Sequence, residues 1–381
     1  MSEWVRIKKS TLEGIGDAIR EKEGSSDLIP TAEMKPRILA IKTGTGTYQV
    51  TDNGEYDITE YAKVNVNVAS SGGEGNTLKK LLDHTKSCYY MFYQGSTITD
   101  LTDYFEPSAT ENVTNMSYMF SYCSALTAIP QLNTSNVTNM AYMFQTCKTL
   151  TTIPQLNTSK VVNMSSMFRG CTALTTIPPL NTKNVTDMGY TFSGTALTTI
   201  PQLDTSNVTN MAYMFQGCSA LTTIPLLDTS NVTSMRSMFS NCKELTSIPQ
   251  LNTSKVTSMR EMFYGCWELE KIDLSYVNIS SNSYTGQIFY NCYSLKTLII
   301  RNFVNFTLNS NTFTNCYHLL GTVNETYNPN GDKDCYIYVP STMVDTLKSA
   351  TNWSEYADQI RALEDYTIDG TTTGELDESK I

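Results

Sequence analysis

The sequence predicts a repeat solenoid of about ten rungs of about 24 residues, each a short strand plus a one-turn helix, with a small α+β N-terminal domain and a C-terminal cap. Three observations predict it. A unit reading VTNMSYMFSYCSALTAIPQLNTSN from Val113 returns in near-copies at Val137, Val161, Val185, Val208, Val232 and Val256. A Phe keeps the register at Phe120, Phe144, Phe168, Phe192, Phe215, Phe239 and Phe263, in steps of 24 residues with a single 23, and weaker copies surround Phe92, Phe289 and Phe313. Self-similarity at such a period is the mark of stacked units. Within one unit the apolar positions Val113, Met116, Met119, Phe120, Cys123, Leu126, Ile129 and Leu132 advance by three, broken once at the Met-Phe pair. Neither a long helix nor a long alternating strand gives that pattern.

Each part of the unit has a local reason. Met116, Met119 and Phe120 stand at i, i+3 and i+4, the spacing of one face of a helical turn. Leu126 to Ile129 suits a short extended segment, which Pro130 ends by removing a backbone donor. Asn133, Thr134 and Ser135 supply the turn into the next copy, since short polar side chains hydrogen-bond nearby backbone. A lone rung loses more chain entropy than its few apolar side chains return on burial. Stacking covers both faces of every interior rung, so the unit has to recur.

The flanks differ from the array. Residues 1–44 read as a helical attachment segment: Ser10 with Glu13 has capping-box spacing, and Leu12, Ile15, Ala18 and Ile19 line one face up to Gly24. Residues 45–69 form a small β segment, with Asp52-Asn53-Gly54 as the turn and VNVNV as the alternation. The run SSGGEGN makes 70–76 a flexible linker, and the solenoid then occupies 77–320. Residues 321–364 read as a cap, with YIYVP as a strand and a helical pattern through Val344, Leu347, Trp353, Ile360 and Leu363. The acidic, Thr-rich stretch 365–381 is expected to be disordered.

Composition narrows the functions. A formal charge of −10 disfavours nucleic acid, whose affinity comes from Lys and Arg on phosphates. No run of about 18 apolar residues appears, so no membrane insertion is expected. The start of the chain has scattered charges and no apolar core of a secretory signal. Eight of the ten cysteines, Cys123, Cys147, Cys171, Cys218, Cys242, Cys266, Cys292 and Cys316, recur at one place in the unit, with a gap at Thr195. Stacked rungs set neighbours about 4.8 Å apart, within reach of a disulfide. The runs of three and five leave one thiol over in each, so the ladder reads as buried free thiols.

No residue pattern calls for an enzyme, and no cofactor is expected. No C-x-x-C occurs, and His84 and His318 are the only imidazoles, so zinc spacing is missing. His318 reads as a surface histidine. The methionine row at Met116, Met140 and Met164 reads as core filling, and the Asn-x-Ser/Thr triplets as turn residues. Paired threonines such as Thr151-Thr152 fit ordinary strand propensity better than an ice-binding ladder. More telling are Tyr264, Trp267, Tyr290 and Tyr293, where later units exchange small residues for aromatic ones. Rigid rings with polar tips anchor partners, and these four are the receptor-binding candidates.

The run Met-Phe-x-x-Cys-x-x-Leu-x-x-Ile, then Pro, then Asn/Asp-Thr-Ser-x-Val-x-x-Met, resembles the BspA-like leucine-rich repeat of bacterial surface proteins over about Cys88 to Leu320. That resemblance implies a leucine-rich-repeat-like fold and adhesion. The ends carry a second likeness. IKKSTLEGIGDAIREKEG and YDITEYAKVNVNV resemble the start of tail proteins from prophages of Gram-positive bacteria, and YVPSTMVDTLKSATNWSEYADQI the close of repeat proteins in the same setting. Together they imply a non-enzymatic tail fibre or receptor-binding protein of a phage or phage-tail-like particle. Its expected partners are a bacterial surface receptor, either a neutral glycan or a protein, and a tail or baseplate protein at the N-terminal segment. A homo-oligomer, a trimer for a fibre, goes with it, as does a virion tail location reached by lysis. A BspA-like adhesin of the cell surface, binding host proteins or glycans, is the alternative, and a glycan-degrading enzyme a remote one.

Overall fold

The computed structural model describes residues 87–101, 110–274, 287–302 and 311–365, together with short strands outside them. Two compact units result, Met1–Asn184 and Val185–Ile381.

In the first unit, β1 (Trp4–Ile7), β2 (Leu39–Thr43), β3 (Gly46–Thr51) and β4 (Ala62–Val66) form an antiparallel sheet in the order β1-β4-β3-β2. The β segment expected over 45–69 supplies β3 and β4, with Val50 opposite Val64. Residues 1–44, expected to hold a helical attachment segment, supply β1 and β2 near their two ends. The boundary drawn after 44 falls between two consecutive strands paired antiparallel from Leu39↔Val50 to Thr43↔Gly46. The helix expected over Ser10 to Gly24 and the linker 70–76 lie outside the described residues.

The rungs of this unit stack through their backbones. The N–H groups of Met116, Tyr118, Phe120 and Tyr122 donate to Asn139, Ala141, Met143 and Gln145 of the next rung at 2.7–3.0 Å. The intervening N–H groups of Met119, Ser121 and Cys123 donate three residues back within their own rung, to Met116, Tyr118 and Phe120, at 3.0–3.2 Å. This alternation replaces the expected one-turn helix. Tyr118 and Tyr122 sit at φ 59° and 64°, so the segment is a chain of tight turns through the left-handed region. The i, i+3, i+4 spacing serves both geometries, and the turns prevail because they free every second donor for the neighbouring rung. The extended stretch at Leu126–Ile129 is held by a single bridge, Asp100↔Ala128, with Thr127 N–H on the Thr99 carbonyl at 2.8 Å.

Phe92, Phe120, Phe144 and Phe168 are fully or almost fully buried, and their rings stack at 5.5, 5.6 and 5.7 Å. Asn133 makes the expected turn, its Oδ1 accepting from the Ser135 N–H at 3.1 Å. Thr134 does something else. It is buried, and its hydroxyl accepts from the Asn157 N–H of the next rung at 2.7 Å.

The second unit repeats this stack with Phe192, Phe215, Phe239, Phe263, Phe289 and Phe313, spaced 5.3–5.9 Å between rings. Here extended segments become strands: β5 (Lys271–Leu274), β6 (Val277–Asn278), β7 (Thr297–Ile300), β8 (Phe303–Val304), β9 (Tyr336–Val339) and β10 (Ile360–Ala362). β5, β7, β9 and β10 form one parallel sheet in the order β10-β9-β7-β5, and β6 pairs with β8. The helical pattern expected over 341–363 divides into a helix, Ser341–Ser349, a 3-10 turn, Ser354–Gln359, and strand β10. Trp353 and Tyr356 meet the last Phe313 ring edge-on, at 6.4 and 5.2 Å, and cover it. In the stretch expected to be disordered, β11 (Thr367–Ile368) pairs antiparallel with β12 (Thr371–Thr372).

Candidate functional site

Two ring columns occupy the late rungs of the second unit. Trp267 stacks on Tyr293 at 5.6 Å, and Tyr293 on Tyr317 at 5.1 Å. Tyr327 reaches the same ring at 4.8 Å, tilted by 48°. Lys243, one rung before Trp267, holds its ammonium 4.0 Å above the indole, a cation–π contact. Beside this column Tyr264 stacks on Tyr290 at 5.0 Å, with ring planes 3° apart. All of these rings are half-buried.

Backbone bonds between rungs set that register: Gly265 N–H donates to the Tyr290 carbonyl at 2.8 Å and Ser294 N–H to the Trp267 carbonyl at 3.0 Å. The phenols influence one another. Burial raises the Tyr293 phenol above its ordinary 10.0, and the neighbouring Tyr317, Tyr327, Tyr264 and Tyr290 add to the rise. Tyr327 is raised by burial, by the Glu268 and Glu244 carboxylates and by a hydrogen bond to Glu268. The four receptor-binding candidates thus lie together, with Lys243, Glu268, Tyr317 and Tyr327 completing the group. Neighbouring rings and the Lys243 ammonium lie against the faces of Trp267 and Tyr293.

The ten cysteines are free and buried. Each ladder thiol donates to the carbonyl of the Phe one rung earlier, as Cys123 does to Phe92 at 3.0 Å and Cys292 to Phe263 at 3.2 Å. Thr195 fills the gap in the ladder, its hydroxyl donating to the Phe192 carbonyl at 2.9 Å. His318 corrects the expectation of a surface residue. It is 7% exposed in the short helix Tyr317–Leu320, with Nδ1 paired to the Asp334 carboxylate. Among the described residues no cluster of three or more His, Cys, Asp or Glu side chains is placed to hold a metal ion. No helix among them is long and apolar enough to cross a membrane. A shallow groove of about 580 Å³ in the first unit is lined by Gln131, Gln155, Asn157, Pro179 and Asn181. Its amides are already engaged, Gln131 with the Gln155 carbonyl at 2.9 Å and Gln155 with the Pro179 carbonyl at 2.8 Å.

Against known proteins, residues 86–199, 173–246 and 220–324 match the family model described as "Mycoplasma protein of unknown function, DUF285", together more than half of the chain. The chain belongs to the DUF285 family. Its fold is a leucine-rich-repeat-like repeat solenoid. Among solved structures it is similar to the pneumococcal vaccine antigen PcpA, at 12% identity over 85% of this chain and 97% of that one, with a TM-score of 0.23. It is also similar to the functional domain of InlJ from Listeria monocytogenes, which includes a cysteine ladder, at 12% identity over 74% and 75% of the two chains, with a TM-score of 0.15. No curated protein matches it. The tail-fibre expectation gains no support from these comparisons.

The DUF285 rungs hold a further aromatic group, built on tyrosines that stand two residues before the register Phe rather than after it as Tyr264, Trp267, Tyr290 and Tyr293 do. Tyr90, Tyr118 and Tyr142 stack at 4.5 and 4.4 Å, with Tyr89 and Tyr93 against them edge-on. In the second unit Tyr190 and Tyr213 stack at 4.3 Å, with the Arg236 guanidinium 5.5 Å from the Tyr213 ring. Lys243 was within reach of the register, lying 24 residues before Trp267. Tyr327 was not, since no repeat runs through the cap.

Proposed function

We propose that this DUF285 chain is a non-enzymatic adhesion protein of a bacterial surface, and that it holds a protein partner through the face carrying Trp267, Tyr293, Tyr264 and Tyr290. The observation that carries the reading is the half-exposed ring assembly with its Lys243 and Glu268 rim, in rungs that depart from the repeat. Aromatic anchors ringed by charge are how protein interfaces concentrate binding energy. A glycan stacks on open ring faces, and here the faces of Trp267 and Tyr293 are taken by neighbouring rings and by an ammonium. Ring edges and phenol hydroxyls suit backbone carbonyls and polar side chains of a protein.

The test is adhesion of the purified chain to intact cells, before and after protease or periodate treatment. Protease should abolish binding and periodate leave it. Trp267→Ala and Tyr293→Ala should each weaken it by about 2 kcal/mol, roughly thirtyfold. The melting temperature should move by no more than about 4 °C, the shift expected of a loss near 1 kcal/mol. Loss of binding with periodate alone would turn the reading to a glycan, and unchanged binding by both variants would remove this face. Recovery of the chain in purified phage-like particles would overturn the surface location.

A further inference from the structure

We propose that Tyr118 and Tyr142 are a site of oxidative cross-linking, where a peroxide-driven one-electron oxidant joins their rings into a dityrosine that staples two adjacent rungs. The rings lie 4.4 Å apart with planes 6° from parallel. Their backbones are fixed by rung-to-rung bonds, Tyr118 N–H to the Ala141 carbonyl at 3.0 Å and Tyr142 N–H to the Ser165 carbonyl at 2.9 Å. In-register stacking sets the carbons ortho to one hydroxyl against those of the other. The two phenols are also hydrogen-bonded to each other. Tyr90 continues the column at 4.5 Å from Tyr118, and Ser166 takes the equivalent position beyond Tyr142.

A route for the oxidising equivalent is present. Tyr122 is 40% exposed and meets Tyr93 edge-on at 5.7 Å, and Tyr93 in turn meets Tyr118 at 6.5 Å. Each of the two phenols gives up one electron and its hydroxyl proton. The resulting phenoxyl radicals form one carbon–carbon bond between ortho positions, and the displaced ring hydrogens move to the oxygens and restore both phenols. The two electrons and two protons released reduce one hydrogen peroxide to two waters. Holding both radicals in contact makes coupling effectively intramolecular, which favours it over encounter with another chain.

The experiment treats the full chain with hydrogen peroxide and a haem peroxidase and maps the products by peptide mass spectrometry and dityrosine fluorescence. The expected product is a monomer with a peptide joining Tyr118 to Tyr142, two hydrogens lighter than its parts. Its yield should collapse when the same reaction is run on urea-unfolded chain. Tyr142→Phe keeps a stacking ring and removes the phenol, so the Tyr118–Tyr142 product must vanish while the circular dichroism spectrum stays as it was. Cross-links found only between chains, only at other tyrosines, or in equal yield from the unfolded chain would overturn the proposal.

Discussion

Replacing Thr158 by Val keeps the outline of the side chain and removes its hydroxyl. That hydroxyl donates to the Asn181 carbonyl at 2.9 Å and accepts from the Asn181 N–H at 2.8 Å, on a residue 1% exposed. Two backbone groups of the next rung therefore lose their partner. An unsatisfied buried group costs about 1–3 kcal/mol. Asn181 is itself exposed, so water restores part of the loss, and the lower figure for each group gives about 2 kcal/mol in all. The new methyl faces those same polar groups and gains little by burial. Thr158→Ser keeps the hydroxyl and loses one buried methyl, about 0.8 kcal/mol. Thr134 accepts one such bond, from the Asn157 N–H of its own next rung, so three backbone groups lose a partner in T134V/T158V, about 3 kcal/mol in all, against about 1.5 kcal/mol for the two methyls lost in T134S/T158S. Urea unfolding followed by circular dichroism measures both, as a fall in midpoint at constant slope. If the valine pair proves as stable as the serine pair, these threonines are apolar filling and the hydroxyl ladder contributes nothing.

The buried thiols make the fold sensitive to alkali. Burial lifts Cys88 and Cys171 from the ordinary 9.0 to about 12 and Cys218 to about 11. A raised folded value means that this stability is complete below the unfolded value and is lost as pH climbs through it toward the folded one. The urea midpoint should stay level up to about pH 8.5 and fall steeply by about pH 10.5, with a thiol reagent reacting only after unfolding; a level midpoint across that range would count against thiol burial. Thr146 sits at φ 62°, at the rung position where later copies carry Gly170, Gly194, Gly217 and Gly265. Left-handed backbone costs an ordinary residue about 1–2 kcal/mol, and glycine gives back about 0.5–1 kcal/mol in chain entropy, so Thr146→Gly should stabilise by about 0.5–1 kcal/mol. A lowered thermal midpoint in that variant would show that Thr146 is held by contacts rather than merely tolerated.

The rung count was legible because a buried Phe must recur wherever a rung needs the same filling, and the period survives even where the rest of the unit degenerates, at Phe92, Phe289 and Phe313. The burial of the cysteines was legible for the same reason, and so was the column from Trp267 to Tyr293, since one register step separates its members. The turn geometry was not. Met116, Met119 and Phe120 have a spacing common to a helical turn and to a chain of tight turns. Only the next rung, which takes every second N–H, separates the two, and it lies 24 residues away in sequence. Tyr118 at positive φ goes against residue preference and is held by that same ladder. Thr134 looked like a turn residue because its neighbours Asn133 and Ser135 make the turn; its own partner, Asn157, is on another rung. His318 looked exposed until the chain brought Asp334 to it, and Tyr327 joins the ring assembly from a cap that carries no repeat. Apolar periodicity is written along the chain, so the sequence by itself determined the stack of rungs and what fills it. Hydrogen bonds and ring contacts between rungs depend on which residues the stacking sets side by side, so the course of each turn and the make-up of each exposed ring group were decided only by the tertiary structure.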